Sequence, residues 1–199
     1  MSLFKKIFGI KSDVSGKKEQ RGKFMPEIKL PIDEKFTINF KRNGGKFLYC
    51  ESIKEVKECF GSILEENEWY GQKVGCFDIE LQETFNEFDL EFSTRVADCV
   101  FFLSTCENLV ADNGAILISS NQIKEEKLQS LPDSLVVFAK TSQLVNTIGE
   151  GLRGIKSKNR NKIPSNITTI KHFNVLEEKD FLSYGTSSKN LYLLLLEDL

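Results

Sequence analysis

Few side chains in this sequence are equipped for covalent or metal chemistry: Cys50, Cys59, Cys76, Cys99, Cys106 and a single histidine, His172. A metal site needs Cys and His at short, repeated spacings, and nucleophilic catalysis needs a thiol or hydroxyl beside an oriented base. The cysteines form no C-x-x-C pair, and Cys99 opens the apolar run Cys99-Val-Phe-Phe102, so they read as buried thiols of a reducing compartment. His172 stands beside Phe173 with no third residue to orient it, which makes it a packed or surface histidine. The carboxylate pairs Glu65-Glu66, Glu125-Glu126 and Glu177-Glu178 lie in charged helical stretches and read as solvated faces. Catalytic residues and cofactor are therefore unknown at this level, and no metal site is expected.

Binding chemistry has better candidates. Asn113-Gly114 precedes an apolar strand, Ser119-Ser120 follows it, and Thr141-Ser142-Gln143 joins a strand ending at Ala139 to a helix. In open parallel sheets ligands lodge beyond the carboxyl ends of strands, where free N–H groups and hydroxyls attract phosphate or carboxylate. The same residue types are also ordinary caps and turns, and neither a P-loop nor a G-x-G-x-x-G fingerprint is present. The expectation is a small-anion site built from Asn113, Gly114, Ser119, Ser120, Thr141, Ser142 and Gln143.

The elements that must hold these residues can be read from periodicity. Residues 33–42 alternate like a strand at Phe36, Ile38 and Phe40, yet Asn43-Gly44-Gly45 looks like a helix C-cap, and the helix is favoured. A strand over Lys46–Cys50 follows. Ser52-Ile-Lys-Glu55 is a capping box, and Val56, Phe60, Ile63 and Leu64 recur at helical spacing, predicting a helix over 53–66 with Trp69 as an apolar anchor beyond it. Strands are expected at 74–77, 100–103, 109–111 and 115–119, with Asp112-Asn113-Gly114 turning a hairpin that is antiparallel inside an otherwise parallel sheet.

Beyond it come a short helix over 123–129 and a strand over 135–139. Thr141 or Ser142 then caps a helix carrying Leu144, Val145, Ile148, Leu152 and Ile155. Gly149, Gly151 and Gly154 fall in that helix, and a frayed end is the simplest reading of the last two. A basic loop over 156–162, a strand over 167–170, a short helix over 177–183 and a strand over 191–196 complete the chain. Strands apolar on both faces belong in a sheet covered by helices, which makes this an α/β fold with a mostly parallel central sheet.

Length and charge bound what remains. A chain of 199 residues suits one domain, and 40% hydrophobic with 28% charged residues is a globular balance. Residues 1–30 carry eight Lys/Arg against three Asp/Glu, which leaves the rest at −7 within a total of −2. The expected division is a mobile basic tail over 1–30 and an α/β domain over 31–199. An acidic body argues against nucleic acid. The N-terminus interleaves Leu3, Phe4, Ile7 and Phe8 with lysines, unlike a secretion signal, and the run Leu191–Leu196 is far short of a bilayer span, so a cytoplasmic protein is expected.

The segment Cys106-Glu-Asn-Leu-Val-Ala-Asp-Asn-Gly-Ala-Ile-Leu-Ile-Ser-Ser120 resembles the core motif of LUD domains, the family of lactate-utilisation protein C. Asn43-Gly-Gly45, Thr141-Ser-Gln143, Pro164-Ser-Asn-Ile-Thr-Thr-Ile-Lys171 and Gly185 ahead of Leu191–Leu196 agree in order, so the resemblance covers residues 31–199. It implies a three-layer fold similar to the NagB/RpiA/CoA-transferase group, and a place beside iron–sulfur redox subunits in lactate or organic-acid oxidation. It also implies an accessory role, binding a small anionic metabolite or a redox partner. The other readings are an enzyme similar to formyltetrahydrofolate cyclo-ligase or acting on sugar phosphates, and a non-catalytic scaffold. Where relatives resemble G-P-S-R-T-A-D-I-E followed by H-G-P, this chain has Ile163-Pro-Ser-Asn-Ile-Thr-Thr-Ile-Lys171 and Tyr184-Gly-Thr186, without the acidic residues.

Overall fold

In the computed structural model residues 30–173 and 189–198 are described. The chain divides at Leu30, and the described helices and sheets belong to the unit Pro31–Leu199. Helix α1 (Ile32–Arg42) has Asp33 and Glu34 in its first turn and Lys41 and Arg42 in its last, matching the helix dipole. Phe36 and Phe40 are buried whereas Ile38 is 46% exposed, a spacing of four that settles the ambiguous stretch as helix. Gly44, at φ +89°, and then Gly45 turn the chain into β1 (Lys46–Cys50). A Cβ on Gly45 would come within 2.3 Å of the Phe40 ring.

Helix α2 (Ile53–Glu66) starts as the capping motif predicts, with Ser52 Oγ accepting from Glu55 N at 3.2 Å. The Glu55 carboxylate accepts from Glu51 N, one residue before the cap. The chain continues through β2 (Lys73–Gly75), α3 (Ile79–Thr84), β3 (Glu91–Ser93), β4 (Phe101–Ser104), β5 (Asn108–Val110), β6 (Ala115–Ile118) and α4 (Ser120–Ile123). It then runs through β7 (Ser134–Lys140), β8 (Leu144–Val145), α5 (Ile148–Lys158), β9 (Thr168–Ile170) and β10 (Asn190–Leu196).

The central sheet has six strands in the order β1-β10-β7-β4-β2-β3, every pair parallel. Its faces alternate cleanly. Phe101, Leu103, Val136, Tyr192 and Leu194 pack with Val56, Phe60, Ile63 and Leu64 of α2 and Leu81 of α3. On the opposite face Phe102, Leu135 and Val137 meet Ile118, Ile123 and Ile170 around a void of only about 10 Å³.

The hairpin is the main departure from the expected topology. β5 and β6 pair antiparallel, Asn108 against Leu117, but they stand in a second sheet of order β8-β5-β6-β9 instead of inside the central one. Both edges of β4 are already taken by β7 and β2, so its successor has no edge to join and stacks on the face. The outer face of the second sheet is covered in turn, with Val110, Ala115 and Leu117 against Ile155 of α5.

Other boundaries shift for equally local reasons. Leu144 and Val145 pair with Leu109 and Val110 as β8, so α5 begins only at Ile148, capped by Thr147 instead of by Thr141 or Ser142. No α-helix forms over 123–129: the single turn α4 reaches only Ile123 and is ended by Lys124 at φ +53°, and a 3₁₀ turn, Leu128–Ser130, follows. Helix α3 and edge strand β3 are too short to show a period in the sequence. Gly151 is not at a frayed end: α5 runs on to Lys158, and a Cβ there would lie 2.6 Å from the Leu117 side chain. The helix expected over 177–183, the Gly185 motif and the N-terminal apolar face lie outside the described residues.

Candidate functional site

The expected anion loops are present, and most of them are filled by the protein's own groups. At the carboxyl end of β7, Thr141 Oγ1 and Ser142 N donate to Asp198 Oδ1, both at 2.9 Å, and Ser142 Oγ donates to Asp198 Oδ2 at 2.7 Å. Asp198 N donates back to Thr141 Oγ1. These donors do collect a carboxylate, and it is that of Asp198. Partial burial works against its charge, but the bonds from Ser142 and Thr141 and the charge of Lys140 outweigh it and hold the carboxyl below its ordinary 3.8.

A carboxyl whose pKa is lowered in the folded state stabilises the fold above its unfolded pKa, and that contribution is lost as pH falls through the lowered folded value. Thermal unfolding of the wild type and of Asp198→Asn should therefore differ at neutral pH and converge in acid below 3.8. A gap that is the same at every pH would show that the charge on Asp198 contributes nothing.

Ser119 and Gln143 close on the segment before β5. Ser119 is wholly buried and its Oγ donates to Glu107 Oε1 at 2.6 Å while accepting from Asn121 N. Gln143 donates through Nε2 to Cys106 O at 2.6 Å and accepts from Lys140 N. Ser120 exchanges bonds with Ser165, donating its N–H and accepting at Oγ. Asn113 and Gly114 lie apart from these residues. β6 separates them from Ser119, about 16 Å at roughly 3.3 Å per residue, and Asn113 O accepts from Asn43 Nδ2 of the segment after α1. The structure thus gathers Ser119, Ser120 and Gln143 at one end of the hairpin and Thr141 and Ser142 at Asp198, with Asn113 and Gly114 at the hairpin's other end.

Asn113 nevertheless lines a cleft of about 630 Å³. Residues 166–172 form one side of it, the loop 126–129 another, and Ile148 with Asn113 close the rest. β9 is an edge of the second sheet, paired among the described residues with β6 alone. Lys127, Lys171 and His172 are exposed along the cleft, and among the described residues Glu126 is the only acidic side chain lining it. Sequence reasoning gave His172 a packed or surface role and Lys171 none. The signal that was available is the left-handed Asn166, at φ +51°, which turns the basic loop into β9 and carries both residues to the cleft.

Cys50, Cys76 and Cys106 are buried thiols, as the sequence suggests, whereas Cys59 and Cys99 are only half-buried. Burial raises the Cys76 pKa to about 11 and pushes Cys50 and Cys106 further up. Among the described residues no group of His, Cys, Asp and Glu is placed to hold a metal, and no helix is long and apolar enough to cross a membrane.

A parallel six-stranded sheet with helices on one face and a small second sheet on the other, itself capped by a helix, defines a particular class of α/β domain. The LUD domain family's sequence profile matches residues 80–187, and the chain belongs to that family. A crystal structure of a DUF162 family protein from Deinococcus radiodurans has the same fold, with a TM-score of 0.60 at 13% identity, over 84% of this chain and 96% of that one. No curated protein matches the chain.

Proposed function

We propose that this LUD-domain protein serves lactate or organic-acid utilisation as an accessory subunit that holds a small organic anion in the cleft along β9. The observation that carries this reading is the cleft, about 630 Å³, with Lys127, Lys171 and His172 along it and Glu126 the one carboxylate among its described lining residues. Lysines along an open cleft attract a carboxylate, and an amide such as Asn113 can orient it. Of the strand-end residues, Asn113 is the one this reading uses. Ser119, Ser120, Thr141, Ser142 and Gln143 shape the fold around it, and Gly114 makes the turn. Electron transfer would fall to partner subunits of the iron–sulfur type, and the activity proposed for this chain is binding.

The test is thermal stabilisation of the full chain by a series of organic acids including L-lactate and pyruvate, repeated with Lys127→Glu/Lys171→Glu. Stabilisation by an organic acid that is lost in the variant supports the reading. Stabilisation by sugar phosphates or folates in place of organic acids would move the chain to the enzyme class instead. No stabilisation by any organic acid would end the proposal.

A further inference from the structure

Resting on that reading, we infer that the occupant of the β9 cleft is an organic acid with an extended apolar body, rather than lactate itself. Size is the first ground. The cleft measures about 630 Å³, within the roughly 300–1,000 Å³ of sites for drug-sized ligands, whereas lactate has only about six non-hydrogen atoms and would leave most of it wet. Its shape is the second ground. One side is the edge strand Thr168–Ile170, about 10 Å at roughly 3.3 Å per residue, with flanks that carry the lining on to Asn166 and His172, so the space suits something longer than lactate.

The lining supplies the third ground. Leu128, Ile148 and Ile167 are half-buried and contribute aliphatic surface, with Ile123 and Ile170 buried beneath them. Such surface gains nothing from a carboxylate and gains by covering with hydrocarbon. Polar groups line the cleft as well, among them Asn113, Gln129 and Thr169. Lys127 and Lys171 supply charge and His172 a ring that can hydrogen-bond, and an antiparallel edge strand turns alternate N–H and C=O groups away from its partner, available to a carboxylate and a neighbouring hydroxyl. A 2-hydroxy acid with a medium-length hydrocarbon tail meets all of these conditions together.

The experiment uses the full chain and calorimetric titration with L-lactate, 2-hydroxyoctanoate and 1,2-octanediol, the last having the tail without the carboxylate. Each methylene buried contributes about a fourfold gain, so 2-hydroxyoctanoate should bind more than about tenfold tighter than L-lactate. The diol should bind about tenfold or more weaker than the acid, and Lys127→Glu/Lys171→Glu should remove that difference. Hydrogen exchange on the wild type, which does not depend on a variant folding, should show protection by 2-hydroxyoctanoate over residues 166–172. L-lactate binding as tightly as the longer acid would overturn the inference and leave the cleft reading standing. Binding of neither acid would remove both. Equal binding of the diol, or protection away from 166–172, would overturn the inference as well. So would an extended acidic peptide that protects β9 where neither acid does, and the cleft would then be a protein-docking edge.

Discussion

Gly114→Val should remove about 3–5 kcal/mol of folding stability, from the sum of a β-branched residue forced to positive φ and an overpacked contact. Gly114 sits at φ +65° in the turn between β5 and β6, a conformation that L side chains rarely adopt. The space is as restrictive as the torsion. A Cβ would lie 2.3 Å from both Asn39 C and Phe40 N, which are backbone atoms of α1 and cannot swing aside. The hairpin tip must rise off α1, and doing so breaks the bonds from Asn43 Nδ2 to Asn113 O and from Asn39 Nδ2 to Ala111 O. Alanine should be nearly as harmful, since the clash is at Cβ itself. Gly154→Ala is the matched control: nothing lies within 4 Å of its Cβ position, so it should stabilise α5 by about 0.5–1 kcal/mol. Urea unfolding of the three variants checks both signs, and a Gly114→Val midpoint near that of the wild type would refute this account of the turn.

Phe101→Ala should cost about 3–5 kcal/mol, the usual range for emptying a large aromatic site in a core. Phe101 is wholly buried on β4, between β7 and β2, and stacks on Trp69 with ring centroids 4.4 Å apart and planes at 14°. Phe60 of α2 approaches the same ring at 6.4 Å, so the deletion loosens the helix layer as well as the sheet. Because Trp69 is the only tryptophan, its fluorescence reports on this contact directly. The emission should move to longer wavelength in the folded variant and its urea midpoint should fall. A normal midpoint with altered emission would mean that the site had collapsed around the loss.

Most of the central sheet was legible because its evidence is local. The run Leu191–Leu196 is apolar on both faces, and so it lies between two parallel neighbours. Ser52 with Glu55 marked the start of α2 to the residue. What was not legible depends on which edges are occupied. Nothing in Leu144-Val145 says that β5 has a free side, so an apolar pair at helical spacing from Ile148 was read as helix when it is strand. The hairpin was visible, but its place in a second sheet follows from β2 and β7 having closed both sides of β4.

The site divided along the same line. The donor-rich loops lie at the ends of strands, but their partners come from distant parts of the sequence. Asp198 reaches Thr141 and Ser142, and Glu107 reaches Ser119. A run of Ser, Thr and Asn shows capacity for hydrogen bonding and cannot show whether that capacity is already used. The cleft escaped notice because it is made by an edge strand and a loop about forty residues earlier, Lys127 with Lys171.

The position of β10 has a consequence for how the protein comes into being. It lies between β1 and β7, with Leu193 facing Phe47 on one side and Val137 on the other. A ribosome that has not yet released residues 190–196 holds a chain whose first strand has no neighbour at all and whose β7 has one bare side. The sheet cannot close in the order in which it is made, so its folding waits for residues 190–196 and is slow, as pairings so distant in sequence require. A nascent chain stalled before residue 190 should be cut readily by protease near residues 46–50, and the full chain should resist.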